Sequence, residues 1–261
     1  MYENQTSAES LSNIRYLSIP KDILVFSIFD SDSYLKQHSD YRKAKAGNFR
    51  SALNLISDLA WLEMNQNKTR FAADCIFVSP FARESTGDNA IPQVMAEVFA
   101  LVCGATADRG LVQVTNVYHT GADPMERLAL RPEFEGPVVS GANYVLLDDV
   151  VSLGGTLAEL AHYVQFNGGV VRDIAVIVNA GRNKSLSPDH KTLRILNERF
   201  GNEIIEIFGI HIDALTANEA QYLVGFRSVD EIRNRLTKAK KESNLRLRSK
   251  GIAGLFRSED G

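Results

Sequence analysis

Asn143-Tyr-Val-Leu-Leu-Asp148-Asp149-Val-Val-Ser152-Leu153-Gly154-Gly155-Thr156 is the stretch on which the fold turns. Its apolar run at 144–147 reads as a buried strand, two carboxylates follow, and a loop of small residues then opens a helix over 155–166. Leu157, Leu160, Ala161 and Val164 share one face of that helix. Two glycines allow backbone N–H groups to turn inward toward an anion, and the helix N-terminus adds partial positive charge. The hydroxyls of Ser152 and Thr156 supply further donors. Carboxylates so close to the loop would repel a phosphate on contact, so the partners that suit them are sugar hydroxyls and a divalent cation.

Outward from this stretch the chain alternates. Strands are expected at 74–79, 111–118, 144–147 and 170–178, with helices at 89–103 and 155–166 between them, which predicts an open, mainly parallel α/β sheet with helices on both faces. Before it, 22–29 reads as a strand, and 34–46 and 49–67 as helices flanking one edge of the sheet. After it come a polar turn, a helix at 190–200, a strand at 204–210, a short helix opening at Thr216 and a final helix from about 228. Thr216 and Glu219 have capping-box spacing. Between 118 and 144 lies a connection longer than packing requires, and such segments in a compact domain serve as lids or binding loops.

The sequence Val145-Leu-Leu-Asp148-Asp149-Val-Val-Ser152-Leu153-Gly154-Gly155-Thr156 resembles the motif by which type I phosphoribosyltransferases bind 5-phosphoribosyl 1-diphosphate (PRPP), and the flanking order agrees over about 74–180. The resemblance implies a division of the chain into an N-terminal flank and hood (1–73), a PRPP-binding core (74–183), the C-terminal part of core and hood (184–226) and a basic helix or tail (227–261). It implies that Ser152, Leu153, Gly154, Gly155 and Thr156 hold the 5-phosphate. Asp148 and Asp149 become the catalytic pair, reaching ribose hydroxyls and Mg2+ through water. Pyrophosphate would meet Ser79, Phe81, Ala82 and Arg83 in the loop after the first core strand, together with Arg127 and Arg131 of a lid over 119–139. The implied reaction transfers the phosphoribosyl group to a nitrogenous acceptor with release of pyrophosphate. Leu153 departs from the family, which more often has threonine, serine or alanine there. The lid departs too, having no lysine.

Bulk properties narrow the alternatives. The chain has 261 residues, 44% of them hydrophobic, with a formal net charge of -3. That suits a folded domain and argues against a general nucleic-acid binder. Cys75 and Cys103 sit among apolar neighbours as reduced core residues do, and the acidic, polar start carries no leader, so a cytoplasmic location is expected. Charge is uneven: residues 227–261 contain ten Lys or Arg against five Asp or Glu. With few aromatics there, a helix docked on the body is favoured over nucleic-acid contact. A homodimer is the expected assembly. Phe208, His211 and Asp213 could meet a base, although Phe208 reads better as core and His211 as exposed. The competing class is a PRPP-sensing regulator that kept the cradle and lost catalysis, toward which Leu153 and the lysine-free lid lean. A third class, the ordinary nucleotide-binding α/β protein, would carry a glycine-rich loop after its first strand, and 79–85 has none.

Overall fold

Val145 and Leu147 point to one side of their strand, and Tyr144 and Leu146 to the other, and all four are fully buried. A strand buried on both faces belongs in the middle of a sheet covered by helices, and each such side chain contributes roughly 1.5–3 kcal/mol relative to exposure. The computed structural model of the chain shows this arrangement. It describes residues 14–81, 83, 84, 87–115, 121–249 and 251, with the backbone alone at 83, 84 and 87.

In chain order the elements are β1 (Phe26–Phe29), α1 (Ser33–Gln37), α2 (Tyr41–Lys45), α3 (Phe49–Leu59), α4 (Trp61–Gln66), β2 (Ile76–Val78) and the short pair β3 (Arg83–Glu84) and β4 (Gly87–Asp88). Then follow α5 (Ile91–Cys103), β5 (Thr106–Ala107), β6 (Val112–Gln113), α6 (Pro124–Ala129), β7 (Phe134–Glu135), β8 (Asn143–Val151), α7 (Gly155–Phe166) and β9 (Val170–Asn179). The last part holds α8 (His190–Phe200), α9 (Glu203–Phe208), α10 (Ala217–Val224) and α11 (Val229–Ser249).

Five strands form one sheet in the order β1-β9-β8-β2-β5, and every neighbouring pair is parallel. The fold class is therefore α/β. Helices α3 and α5 cover one face, packing Leu55, Ile56, Met95 and Phe99 against Phe77, Val145 and Leu147. The other face meets α7 through Leu157, Leu160, Ala161 and Val164. The crossover β2-α5-β5 runs toward one edge and β8-α7-β9 toward the other. Where two crossovers of one hand diverge, their helices fall on opposite faces and a crevice opens between the strand ends. Here it lies between the C-terminal ends of β2 and β8, where the acidic pair sits.

A third apolar cluster joins α6, α8, α9, α10 and α11 through Met125, Leu128, Phe200, Phe208, Leu223 and Ile232. The basic helix α11 docks on this helical cluster. No helix among the described residues is long and apolar enough to cross a membrane.

Four sequence expectations are corrected. The expected strand at 204–210 is helix α9, because Ile204 and Phe208 are spaced for a helix face as well as for a strand, and Gly209, at φ +63°, ends it with a left-handed cap. The expected strand at 111–118 shrinks to β6, which pairs antiparallel with β7 outside the main sheet; residues 116–120 lie outside the described residues. Its place at the sheet edge is taken by β5, two residues after Gly104. The long N-terminal helices are each broken in two, at 38–40 and at Ala60. Strand β8 also runs on past 147 to Val151, so the two acids stand within it.

Candidate functional site

Strand β8 ends at Val151, and Gly154 turns the chain at φ +85° into α7. An L side chain is strained at that angle, so glycine is needed there. The loop is pinned from behind by the N-terminus of α10. Asn218 Nδ2 donates to the Ser152 carbonyl at 2.6 Å, and the Thr216 hydroxyl donates to the Leu153 carbonyl. Across a trans peptide the carbonyl and the following N–H point in opposite directions. Anchoring these two carbonyls on the α10 side therefore turns the amides of Leu153 and Gly154 the other way. Among the described residues no hydrogen bond takes up the amides of Leu153, Gly154, Gly155 or Thr156. They line a cavity of about 40 Å³, room for a few waters or one tetrahedral anion.

Cationic groups ring the same cavity. Arg127 of α6 donates to Ser152 Oγ at 3.1 Å. Arg131, beyond the end of α6, pairs with Glu159 of α7 at 3.0 Å. Arg15, fully buried, bonds Glu159 at 3.1 Å and also pairs with Glu219. Glu219 lines the cavity, with its Oε2 accepting from the Thr216 amide at 2.8 Å as part of the α10 capping box. Of these groups Arg127 and Arg131 line the cavity, together with the carboxylates of Glu219 and Asp148, while Arg15 and Glu159 stand behind it. Helix α6 stops at Ala129, so Arg127 and Arg131 reach different partners.

The alternation of β8 separates the two acids. Asp149 faces the α2 and α5 side, where it is 4% exposed. Lys45 Nζ of α2 lies 2.9 Å from its Oδ2, and Asn89 Nδ2 lies 3.1 Å away. Burial works to raise this carboxyl, but Lys45 and Asn89 together hold it below the usual carboxylate range. Asp148 is less buried and lines the cradle cavity. Burial first, and the Asp149 charge second, push its carboxyl well above the ordinary value. A second cavity of about 280 Å³ joins this pair to the cradle, bounded by Asp32, Lys36, Tyr41, Lys45, Arg127 and both acids among others.

The residues expected to meet pyrophosphate divide. Arg127 borders both cavities. Arg131 borders the cradle and not the larger hollow. Ser79 and Phe81 open instead onto a separate hollow with Phe49, Gln93 and Asp108, while Pro80 between them borders the acidic pair. Ala82 and the side chain of Arg83 lie outside the described residues, as do His119 and Thr120 of the expected lid. Phe208 is core, 5% exposed, and His211 with Asp213 lines a distant hollow. Sequence reasoning missed Arg15, Lys45, Asn89 and Asn218, and saw Glu219 only as a cap.

Magnesium, expected from the family resemblance, finds a poor donor set. Among the described residues no group of three or more His, Cys, Asp or Glu is placed to hold a metal ion. Of the three carboxylates bordering the hollow, Asp149 is already bonded by an ammonium and an amide, and Asp32 is paired with Lys36. The residues do not fit a magnesium ion held by the protein.

No protein-family model matches the chain. It is 37% identical over 215 residues to Protein TraN of Escherichia coli, covering 80% of this chain and 48% of that protein. It is 33% identical over 129 residues to an uncharacterised protein of Haemophilus influenzae, covering 49% of this chain and 29% of that one. The chain thus spans less than half the length of these curated relatives. Among solved structures, an adenine phosphoribosyltransferase from Leishmania donovani is similar at a TM-score of 0.34 and 16% identity, covering 76% of this chain and 79% of that one. A hypoxanthine phosphoribosyltransferase from Staphylococcus aureus is similar at 0.31 and 11%, covering 50% and 66%.

Proposed function

We propose that the chain binds PRPP and transfers its phosphoribosyl group to a nitrogenous acceptor, releasing pyrophosphate. The observation that carries this reading is the ring of untaken amides at Leu153, Gly154, Gly155 and Thr156 around an anion-sized cavity, with Arg127 across it and the acidic pair beside it.

In this reading the 5-phosphate takes the amides, with the Thr156 hydroxyl and Arg127 as further donors. The ribose then lies toward Asp148, whose raised carboxyl can donate to one sugar hydroxyl or accept from another. Breaking the bond from ribose C1 to pyrophosphate leaves positive charge on the ring and negative charge on the leaving group. Lys36, Lys45 and Arg127 border the hollow in which that negative charge would develop. The acceptor enters beside Asp32 and Tyr41, from the N-terminal helices rather than from His211 and Asp213. Two unpaired cysteines agree with a cytoplasmic location.

A second reading has one observation in its favour. Lys45 already neutralises Asp149, as in a site built for retention rather than turnover. In this reading the chain is a PRPP-sensing regulator. Incubation with PRPP and a panel of purine, pyrimidine and other nitrogenous acceptors, with pyrophosphate release measured, separates the two. Release with any acceptor supports transfer. Calorimetric binding of PRPP without release under every acceptor supports the sensor, and absence of binding overturns both.

A further inference from the structure

We infer that Lys45 is the built-in counter-cation of the acidic pair, so that PRPP is bound here without a divalent metal ion. This rests on the phosphoribosyl reading of the cradle and goes beyond it.

The placement of Lys45 is over-determined by backbone. Ala44 is fully buried against the sheet-covering helices, and its carbonyl accepts from the Ala90 amide at 3.1 Å. Gly47, just after α2, passes so close to Asp88 that a Cβ would stand 2.9 Å from the Asp88 carbonyl oxygen. Helix α2 is thereby fixed against the segment 88–90 that also carries Asn89. Both side chains reach the same oxygen, Asp149 Oδ2, at 2.9 and 3.1 Å. The amide of Asn89 is oriented by its own oxygen, which accepts from the Ile91 N–H at 3.2 Å, leaving its NH2 to donate. Asp149 is thus met by two donors, one of them charged, on the wall of the hollow that borders the cradle.

A magnesium ion requires near-octahedral oxygen ligands and keeps several waters. An ammonium at 2.9 Å from the carboxylate occupies the direction from which such a hydrated ion would approach, and repels it. Lys45 also borders the hollow together with Arg127 and with Lys36, which pairs with Asp32, so cationic side chains are already present where a metal would otherwise screen ligand phosphates. Lys45 acts as a positioning and charge-compensating residue.

Calorimetry on the full chain tests this with two probes. Ribose 5-phosphate reports on the cradle, and PRPP on the counter-ion. The expected result is that wild-type PRPP affinity in EDTA stays within about threefold of that in magnesium. Lys45→Met should lose about tenfold or more of PRPP affinity in EDTA and regain most of it on adding magnesium, while Lys45→Arg keeps metal-independent binding. Wild-type protein that binds ribose 5-phosphate in both buffers but PRPP only with magnesium overturns the inference. Failure of both probes in both buffers removes the phosphoribosyl reading and this inference with it. The wild-type comparison decides the matter even if Lys45→Met does not fold.

Discussion

Gly154 stands at φ +85°, where a Cβ would also come within 3.3 Å of the Thr216 methyl. Gly154→Ala should therefore cost about 1–2 kcal/mol in urea unfolding. It should also weaken ribose 5-phosphate binding by tilting the amides; unchanged affinity would remove the cradle from the account. His162 offers a titration test. Burial, with Arg15 and Arg131 nearby, lowers it to about 4, and its Nδ1 accepts from the Leu17 N–H at 3.3 Å as only the unprotonated nitrogen can. Because the folded value lies below the unfolded one near 6.5, the unfolded chain binds the proton first. The contribution is complete above about pH 6.5 and is lost as pH falls toward 4, roughly 1–2 kcal/mol after allowing for partial solvent access. His162→Gln should flatten the urea midpoint between pH 7 and 4.5 relative to wild type. At this scale the sequence revealed the groups that lie along one loop, since glycine, hydroxyl and acid at fixed spacing leave few readings. It could not reveal Arg15, Lys45 or Asn89, whose relation to the loop is created by packing between segments far apart in the chain.

Helix α6 shows what an element contributes. Asp123 caps it, accepting from the Met125 amide at 2.8 Å, and pairs with Arg235 of α11 at 2.8 Å. Glu126, 3% exposed, accepts from Ser243 Oγ at 2.8 Å and pairs with Arg246. Two bases of the cationic C-terminal region are thus spent on acids of α6, which makes them less available to nucleic acid. Glu126→Gln should destabilise the chain by roughly 1–3 kcal/mol, as expected for weakening a buried charge-assisted bond. It should also lower phosphate affinity, because Arg127 is the next residue on that helix; a change in unfolding midpoint without a change in binding would detach α11 from the site. Elements α7 and α8 were legible to the residue, since their starts and stops coincide with Gly155, Asp189 and Gly201. Element α9 was misread because Ile204, Ile205, Ile207 and Phe208 are strand formers by propensity, and only packing in the third apolar cluster decides for a helix. Edge strand β5 escaped notice because two residues of Thr and Ala carry no periodicity.

For the molecule as a whole, the parallel α/β class followed from strand-helix alternation, whereas the strand order and the joining of the C-terminal helices to the sheet layer did not. That joining runs through Arg15, Glu159, Glu219 and Arg131, a quartet drawn from four segments in which the first three are buried and Arg131 half-buried. Breaking one partner leaves a charge uncompensated, so Arg15→Met should lower stability by about 3 kcal/mol or more. Saturating PRPP at about a hundred times its dissociation constant should add roughly 2.7 kcal/mol to wild-type stability. A melting curve that splits into two steps in Arg15→Met would show that the quartet unites the C-terminal helices with the sheet; a single lowered step would show that packing alone does so. The anchoring of α6 by Ser243 and Arg246 carries a consequence for the order of biosynthesis. A ribosome completes all five strands of the sheet by residue 179, yet Glu126, the neighbour of Arg127 on α6, is bonded by side chains made more than sixty residues later. The nascent polypeptide therefore carries every strand of its sheet before it carries the side chains that fasten α6.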